Sequence, residues 1–279
     1  LAATLVTFAV VHIQLAHFYR PEPFTNLFTL AAFWFMLQVL ERRRVRDSAL
    51  LGLFVGLAFA TKLSVLPLLV PLALLYGYLL RRILRDSAAE ERLELIERLA
   101  VRLLVAGATA AAIYIFWTPY AILSFPEFLE WNLREVEIVR NAGIVPYTVQ
   151  YIGTTNLLYE LRQTILWGLG PLLGVLAWGG FLATIAVNVR RPRMGQVLML
   201  AWAIPLLLII VSMEVKFLRY LLPITPFLLL FGSSMFFVFW DSAKRSDSTL
   251  GRALRPWLAV ALALVAGASA FYALSYLSV

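Results

Sequence analysis

The stretch His17-Phe18-Tyr19-Arg20-Pro21-Glu22-Pro23-Phe24 sets three ionisable side chains and two prolines between two long apolar runs, residues 1–17 and 24–40. The chain around it is too oily to cover such runs in water. Of 279 residues, 62% are hydrophobic and 14% charged, where water-soluble domains carry about 25% charged residues. The mean hydropathy is +0.83, and a lipid bilayer is the expected solvent. Outward from the loop, further apolar runs cover 49–61, 66–80, 103–121, 164–189, 196–213, 220–240 and 257–277. A backbone in hydrocarbon must satisfy its own hydrogen bonds, so each run is expected to be helical. The predicted fold is all-α: a polytopic transmembrane helical bundle of about nine membrane helices, one domain over 1–279, with no strand and no internal repeat. Runs 49–61 and 66–80 are each too short to cross about 30 Å. They predict a tilted pair meeting at Thr61-Lys62-Leu63-Ser64.

The charges orient the bundle. Net charge is +8, but the basic residues sit in short loops between apolar runs, the pattern of membrane topology and not of a nucleic-acid surface. Taking the His17–Glu22 loop as one side, alternation puts 7 Lys and Arg on that side and 17 on the other, out of 24. The arginine-rich side is therefore expected to be cytoplasmic. With no Cys, thiol catalysis is excluded and the redox compartment is undetermined.

Two segments outside the runs carry helix signals of their own. Ser87-Ala88-Ala89-Glu90 is a capping-box pattern opening a charged interfacial helix to about residue 102, and Glu94 precedes Arg98 by four. Ser124-Phe125-Pro126-Glu127 is a second capping box, followed by an apolar stripe of Leu129, Leu133, Val136 and Val139. It lies in an extracytoplasmic subregion, 122–163, whose irregular stretch 141–155 is long enough to suggest a cover over a site. The glycines of Trp167-Gly168-Leu169-Gly170-Pro171 and of Gly179-Gly180 read as helix packing.

Ionisable residues are almost absent from mid-run positions and gather at the run ends facing the Glu22 side. A solute pathway would place them in mid-helix; a ring at the membrane edge stands where a lipid phosphate headgroup sits. Glu22, framed by two prolines that fix the backbone, is the candidate acid: a general base, a metal ligand, a binder of sugar hydroxyls, or simply an acid at a helix N-terminus. His17 and Arg20 share its loop. Lys62, Lys216 and Arg219, with Tyr220, are candidates to bind a phosphate, since Arg grips one bidentately and Lys acts as a point charge. His12 reads as a packed histidine. Whether Glu22 takes a divalent metal is left open, and no other cofactor is indicated.

Three motifs resemble GT-C glycosyltransferases of the protein O-mannosyltransferase and aminoarabinose-transferase kind. They are His17–Phe24, similar to the family's acidic segment before a transmembrane helix; Gly52-Leu53-Phe54-Val55-Gly56-Leu57-Ala58-Phe59-Ala60-Thr61-Lys62, a glycine-spaced helix ending in Thr-Lys; and Arg219-Tyr220-Leu221-Leu222-Pro223 before a late helix. The loop after Thr118-Pro119-Tyr120 also fits. The resemblance implies transfer of a sugar, usually with inversion, from a polyprenyl-phosphate donor to a hydroxyl acceptor (protein, lipid or glycan) at the extracytoplasmic face of a multi-pass membrane protein. A prokaryotic plasma membrane is the expected location. It places the principal base in a loop before Leu1, making the chain a fragment that lacks a first helix, the first catalytic loop and any C-terminal soluble domain, with Glu22 as an accessory acid. A transporter or flippase, a polymer ligase using a lipid carrier and a noncatalytic scaffold are the competing readings.

Overall fold

A computed structural model describes residues 1–245 and 249–278, with the side chains of 249–251 outside that description. Among the described residues every regular element is helical. Seven helices are long and apolar enough to cross a membrane, fewer than the nine runs. The first run is broken at Phe8-Ala9 into α1 (Ala2–Thr7) and α2 (Val10–His17), with neither proline nor glycine at the break. The loop holding Arg20 follows, then α3 (Glu22–Arg42) and α4 (Val45–Thr61). At 17 residues, α4 is about 25 Å long.

Runs 49–61 and 66–80 do meet at Thr61-Lys62-Leu63-Ser64, but the second is not short. A 3-10 turn, Leu63–Leu68, runs directly into α5 (Leu69–Asp86), giving a 24-residue span. Backbone hydrogen bonds carry a helix past its charged ends, so counting only apolar residues underestimated its length. The charged segment before residue 103 is likewise not a separate interfacial helix. It is the first part of α6 (Ala89–Trp117), 29 residues without interruption, because nothing between Arg98 and Leu104 breaks a helix. Arg98 does pair with Glu94. The Ser87 capping box is not made: Ala88 is the N-cap, with no side-chain cap bond, and the Ser87 carbonyl accepts from Arg92 Nε instead, at 3.1 Å.

Small residues set the closest crossings. A Cβ at Gly52 would collide with the Ala106 carbonyl, and one at Gly56 would stand 2.6 Å from the Ala110 oxygen. α4 thus lies backbone to backbone on α6, through Gly-x-x-x-Gly against Ala-x-x-x-Ala. α10 (Pro171–Arg190) crosses α12 (Thr225–Arg245) in the same way, where a Cβ at Gly232 would stand 2.8 Å from the Leu176 oxygen. α12 is the central helix; its Phe227 packs near Trp202 of α11 (Met194–Ser212) and its Phe231 near Phe181 of α10, and Trp202, Phe227 and Phe231 are fully buried. α6 and α13 (Thr249–Leu277) lie outermost, with most of their apolar side chains turned to lipid.

On the Glu22 side, α6 leads into α7 (Tyr120–Leu123) and the amphipathic α8 (Phe125–Arg140). Ser124 is the N-cap of α8 but makes no side-chain cap bond. The irregular stretch after α8 contains a 3-10 turn, Pro146–Tyr151, and α9 (Leu158–Gln163) then enters a single π turn, Thr164–Gly168. A strap, residues 213–217, joins α11 to a 3-10 turn, Leu218–Ile224, at the head of α12. This strap and turn carry the late basic motif.

Candidate functional site

Glu22 opens α3, with Pro21 as N-cap and Pro23 in the first turn. Its carboxylate is aimed inward and is 2% exposed. Oε1 accepts a 2.7 Å hydrogen bond from Lys62 Nζ, across forty residues of chain. Lys62 is set where α4 ends in extended backbone, so the α4–α5 break serves to deliver an ammonium to the Glu22 end of the bundle. The other carboxylate oxygen, Oε2, is buried and has no hydrogen-bond partner. An unfilled acceptor on an ionised group is costly to bury, and Glu160 Oε2 is left in the same state.

A polar row continues from Glu22 along one face of α3. Thr25, Asn26 and Thr29 are all buried, at the helical spacing that keeps side chains on one face. Asn26 Nδ2 donates to the Leu222 carbonyl at 3.1 Å, and Trp202 Nε1 to that of Pro223 at 3.3 Å. These two bonds hold the 3-10 turn Leu218–Ile224 against α3 and α11. The turn in consequence places Tyr220 beside Lys62, whose Nζ is 5.5 Å from the ring centroid. Arg219 lies over Phe217 at 4.3 Å and near Tyr220 at 5.5 Å. Glu22, Lys62, Tyr220 and Arg219 therefore form one connected group drawn from three distant segments. The group holds two cations and one carboxylate, with the Glu135 carboxylate also near Tyr220, and Arg219 makes no ion pair among the described residues.

Lys216, expected with these cations, faces elsewhere. Its Nζ donates to Glu160 Oε1 at 2.8 Å and to the carbonyls of Met213 and Val211 at 3.0 and 3.5 Å. An ammonium has three hydrogens, and all are engaged. Lys and Glu side chains are each 1% exposed. His17 and Arg20 are exposed on the loop before α3 and join the Glu22 group through no described hydrogen bond or ion pair. Among the described residues no three His, Cys, Asp or Glu side chains converge as a metal site; Glu22 would contribute one ligand to a cation there.

The stretch 141–155 is anchored. Thr148 Oγ1 donates to the Ala142 and Val145 carbonyls at 2.7 and 2.8 Å, and Ala142 N donates to Glu214 Oε2 at 2.9 Å. Tyr151 is buried against Phe217, with ring centroids 5.3 Å apart. Burial pushes the Tyr151 hydroxyl up to about 12, with Tyr159 and Tyr220 adding to the shift and Arg219 opposing it. It is a neutral hydrogen-bonding group near pH 7, and no base. A small cavity of about 250 Å³ lies between this stretch and the strap, lined by Tyr151, Gly153, Thr154, Asn156, Glu214 and Lys216.

Asn26 was not singled out from the sequence, although a polar residue one helical turn after Glu22 inside an apolar run was a readable signal. Glu160 offered none, since only folding brings it to Lys216.

Residues 1–110 match the family model described as dolichyl-phosphate-mannose-protein mannosyltransferase. No curated protein sequence matches the chain. Two solved structures from Archaeoglobus fulgidus share the fold. One is an oligosaccharyltransferase in the apo form, with TM-score 0.58 and 16% identity over 99% of this chain and 41% of that one. The other is the archaeal oligosaccharyltransferase AglB in complex with an inhibitory peptide and a dolichol-phosphate, with TM-score 0.59 and 14% identity over 98% of this chain and 40% of that one. The chain thus spans about two fifths of the length of these structures and has a GT-C-like fold.

Proposed function

We propose that this membrane protein transfers a sugar from a polyprenyl-phosphate donor to a hydroxyl acceptor at the extracytoplasmic face. The observation that carries the reading is the Glu22–Lys62 pair with its part-exposed ammonium, set beside Tyr220 and Arg219 at one end of the bundle. The group lies on the side with fewer basic residues, which the charge rule assigns to the outside. The family match over residues 1–110 and the shared fold are consistent with it.

The chemistry follows from the charges. The acceptor oxygen attacks the anomeric carbon, the bond from that carbon to the phosphate oxygen breaks, and polyprenyl monophosphate leaves with the bonding pair. The hydroxyl proton goes to a carboxylate base, which the resemblance places in a loop ahead of the first run. Lys62 and Arg219 meet the charge that grows on the departing phosphate. Glu22 holds Lys62 in place. A flippase would want its helix break at the bilayer midplane; the Lys62 break is at the bundle end.

The test is transfer by the purified full-length protein from labelled polyprenyl-phosphate sugars. Arg219→Ala should lower the rate by about 10²-fold, the scale of losing one charge-stabilising donor. Wild-type turnover in that variant would take Arg219 out of the site.

A further inference from the structure

The strap 213–217 is held from two sides. On one, the backbone N–H groups of Glu214 and Val215 both donate to the Val139 carbonyl at 3.1 Å, and the Glu214 side chain binds Ala142 N. These contacts fix its first half. Toward Arg219 the polar anchor is Lys216. Its ammonium reaches back to carbonyls at the C-terminal end of α11, where a helix leaves acceptors unfilled and carries partial negative charge. Glu160 then ties that corner to α9. The next residue, Phe217, packs edge to face with Tyr151 and Tyr220 and carries the Arg219 guanidinium on its ring face. Glu160, Lys216, Phe217 and Arg219 form a continuous line of contacts from a sealed interior to the half-buried Arg219 guanidinium.

A buried ion pair is a poor way to add stability, because apolar residues of equal volume serve as well or better. What it adds is direction: both partners must sit at one place and one angle. The geometry points to Glu160 and Lys216 as positioning residues that hold the strap so that Arg219 meets the lipid phosphate. This rests on the transferase reading above and assigns the pair a role in gripping the donor.

The double variant Glu160→Gln/Lys216→Met removes both charges together. In the full-length protein it should keep the wild-type melting midpoint, while kcat/KM for the donor falls roughly tenfold. Binding of polyprenyl monophosphate should weaken by the same order. Arg219 should react faster with phenylglyoxal, followed by mass spectrometry of its peptide. Lys216→Arg keeps the cation and should retain wild-type phosphate binding. Unchanged phosphate binding and unchanged Arg219 reactivity in the double variant would overturn the inference. So would losses that merely follow the melting midpoint, with Lys216→Arg as impaired as the double. If the double variant does not fold, Glu160→Asp, which shortens the reach by one methylene, is judged by the same two readouts. If the full-length wild-type protein transfers sugar from no polyprenyl-phosphate donor, the transferase reading fails, and Arg219 reactivity alone then decides for or against the pair.

Discussion

The bundle carries two Lys–Glu pairs at its Glu22 end, alike in length and opposite in kind. Lys62 and Glu22 meet at 2.7 Å, with the lysine side chain 29% exposed and its ammonium bonded to no other described acceptor. Lys216 and Glu160 meet at 2.8 Å with both side chains 1% exposed and the ammonium saturated by carbonyls. Distance does not separate a site from a staple here. Nor do the carboxylates, since Oε2 of Glu22 and Oε2 of Glu160 are both buried without a partner; spare donors on the ammonium and access do. The first pair can still bind something; the second can only hold something.

The largest effect should come from breaking the sealed pair on one side. Lys216→Met leaves Glu160 buried and alone, and should cost about 3–5 kcal/mol of stability, read as a drop in the melting midpoint. A variant that melts like wild type would show the pair to be wetter than its geometry. The matching change in the open pair, Lys62→Met, should lower kcat/KM for the donor by about 10²-fold, near 2.7 kcal/mol, with a smaller shift in melting. If Lys62→Met destabilises as much as Lys216→Met and leaves transfer intact, the contrast between the pairs is gone.

The smallest effect concerns Tyr151, beside the strap. Its raised pKa means that folding favours the neutral phenol. The stability it contributes is complete below the usual tyrosine value of 10 and is lost as pH climbs toward about 12. Tyr151→Phe should therefore lose less stability than wild type over that window, measured as melting midpoints at stepped pH. Equal losses would mean that Tyr151 ionises as freely when folded as when unfolded.

Much of the candidate group was legible in the sequence. The prolines around Glu22, the break at Lys62 and the Arg219-Tyr220 motif sit at run ends on one side, and a helix end is where a chain in lipid can afford charge. Lys216 shows the limit. By type, side and spacing it matched Arg219, three residues away. What distinguishes them is Glu160, 56 residues earlier in sequence, together with two carbonyls freed by the end of α11. Helix length was misread for a related reason: the apolar runs mark what lipid touches, while hydrogen bonding carried α5 and α6 well beyond them.

Composition alone determined that this chain folds as a helical bundle in a membrane, because backbone groups in hydrocarbon leave few alternatives, and the uneven basic loops determined which ends share a side. Only the tertiary structure decided which cations are displayed and which are used up, since that depends on partners drawn from remote segments and on the carbonyls each helix end leaves open.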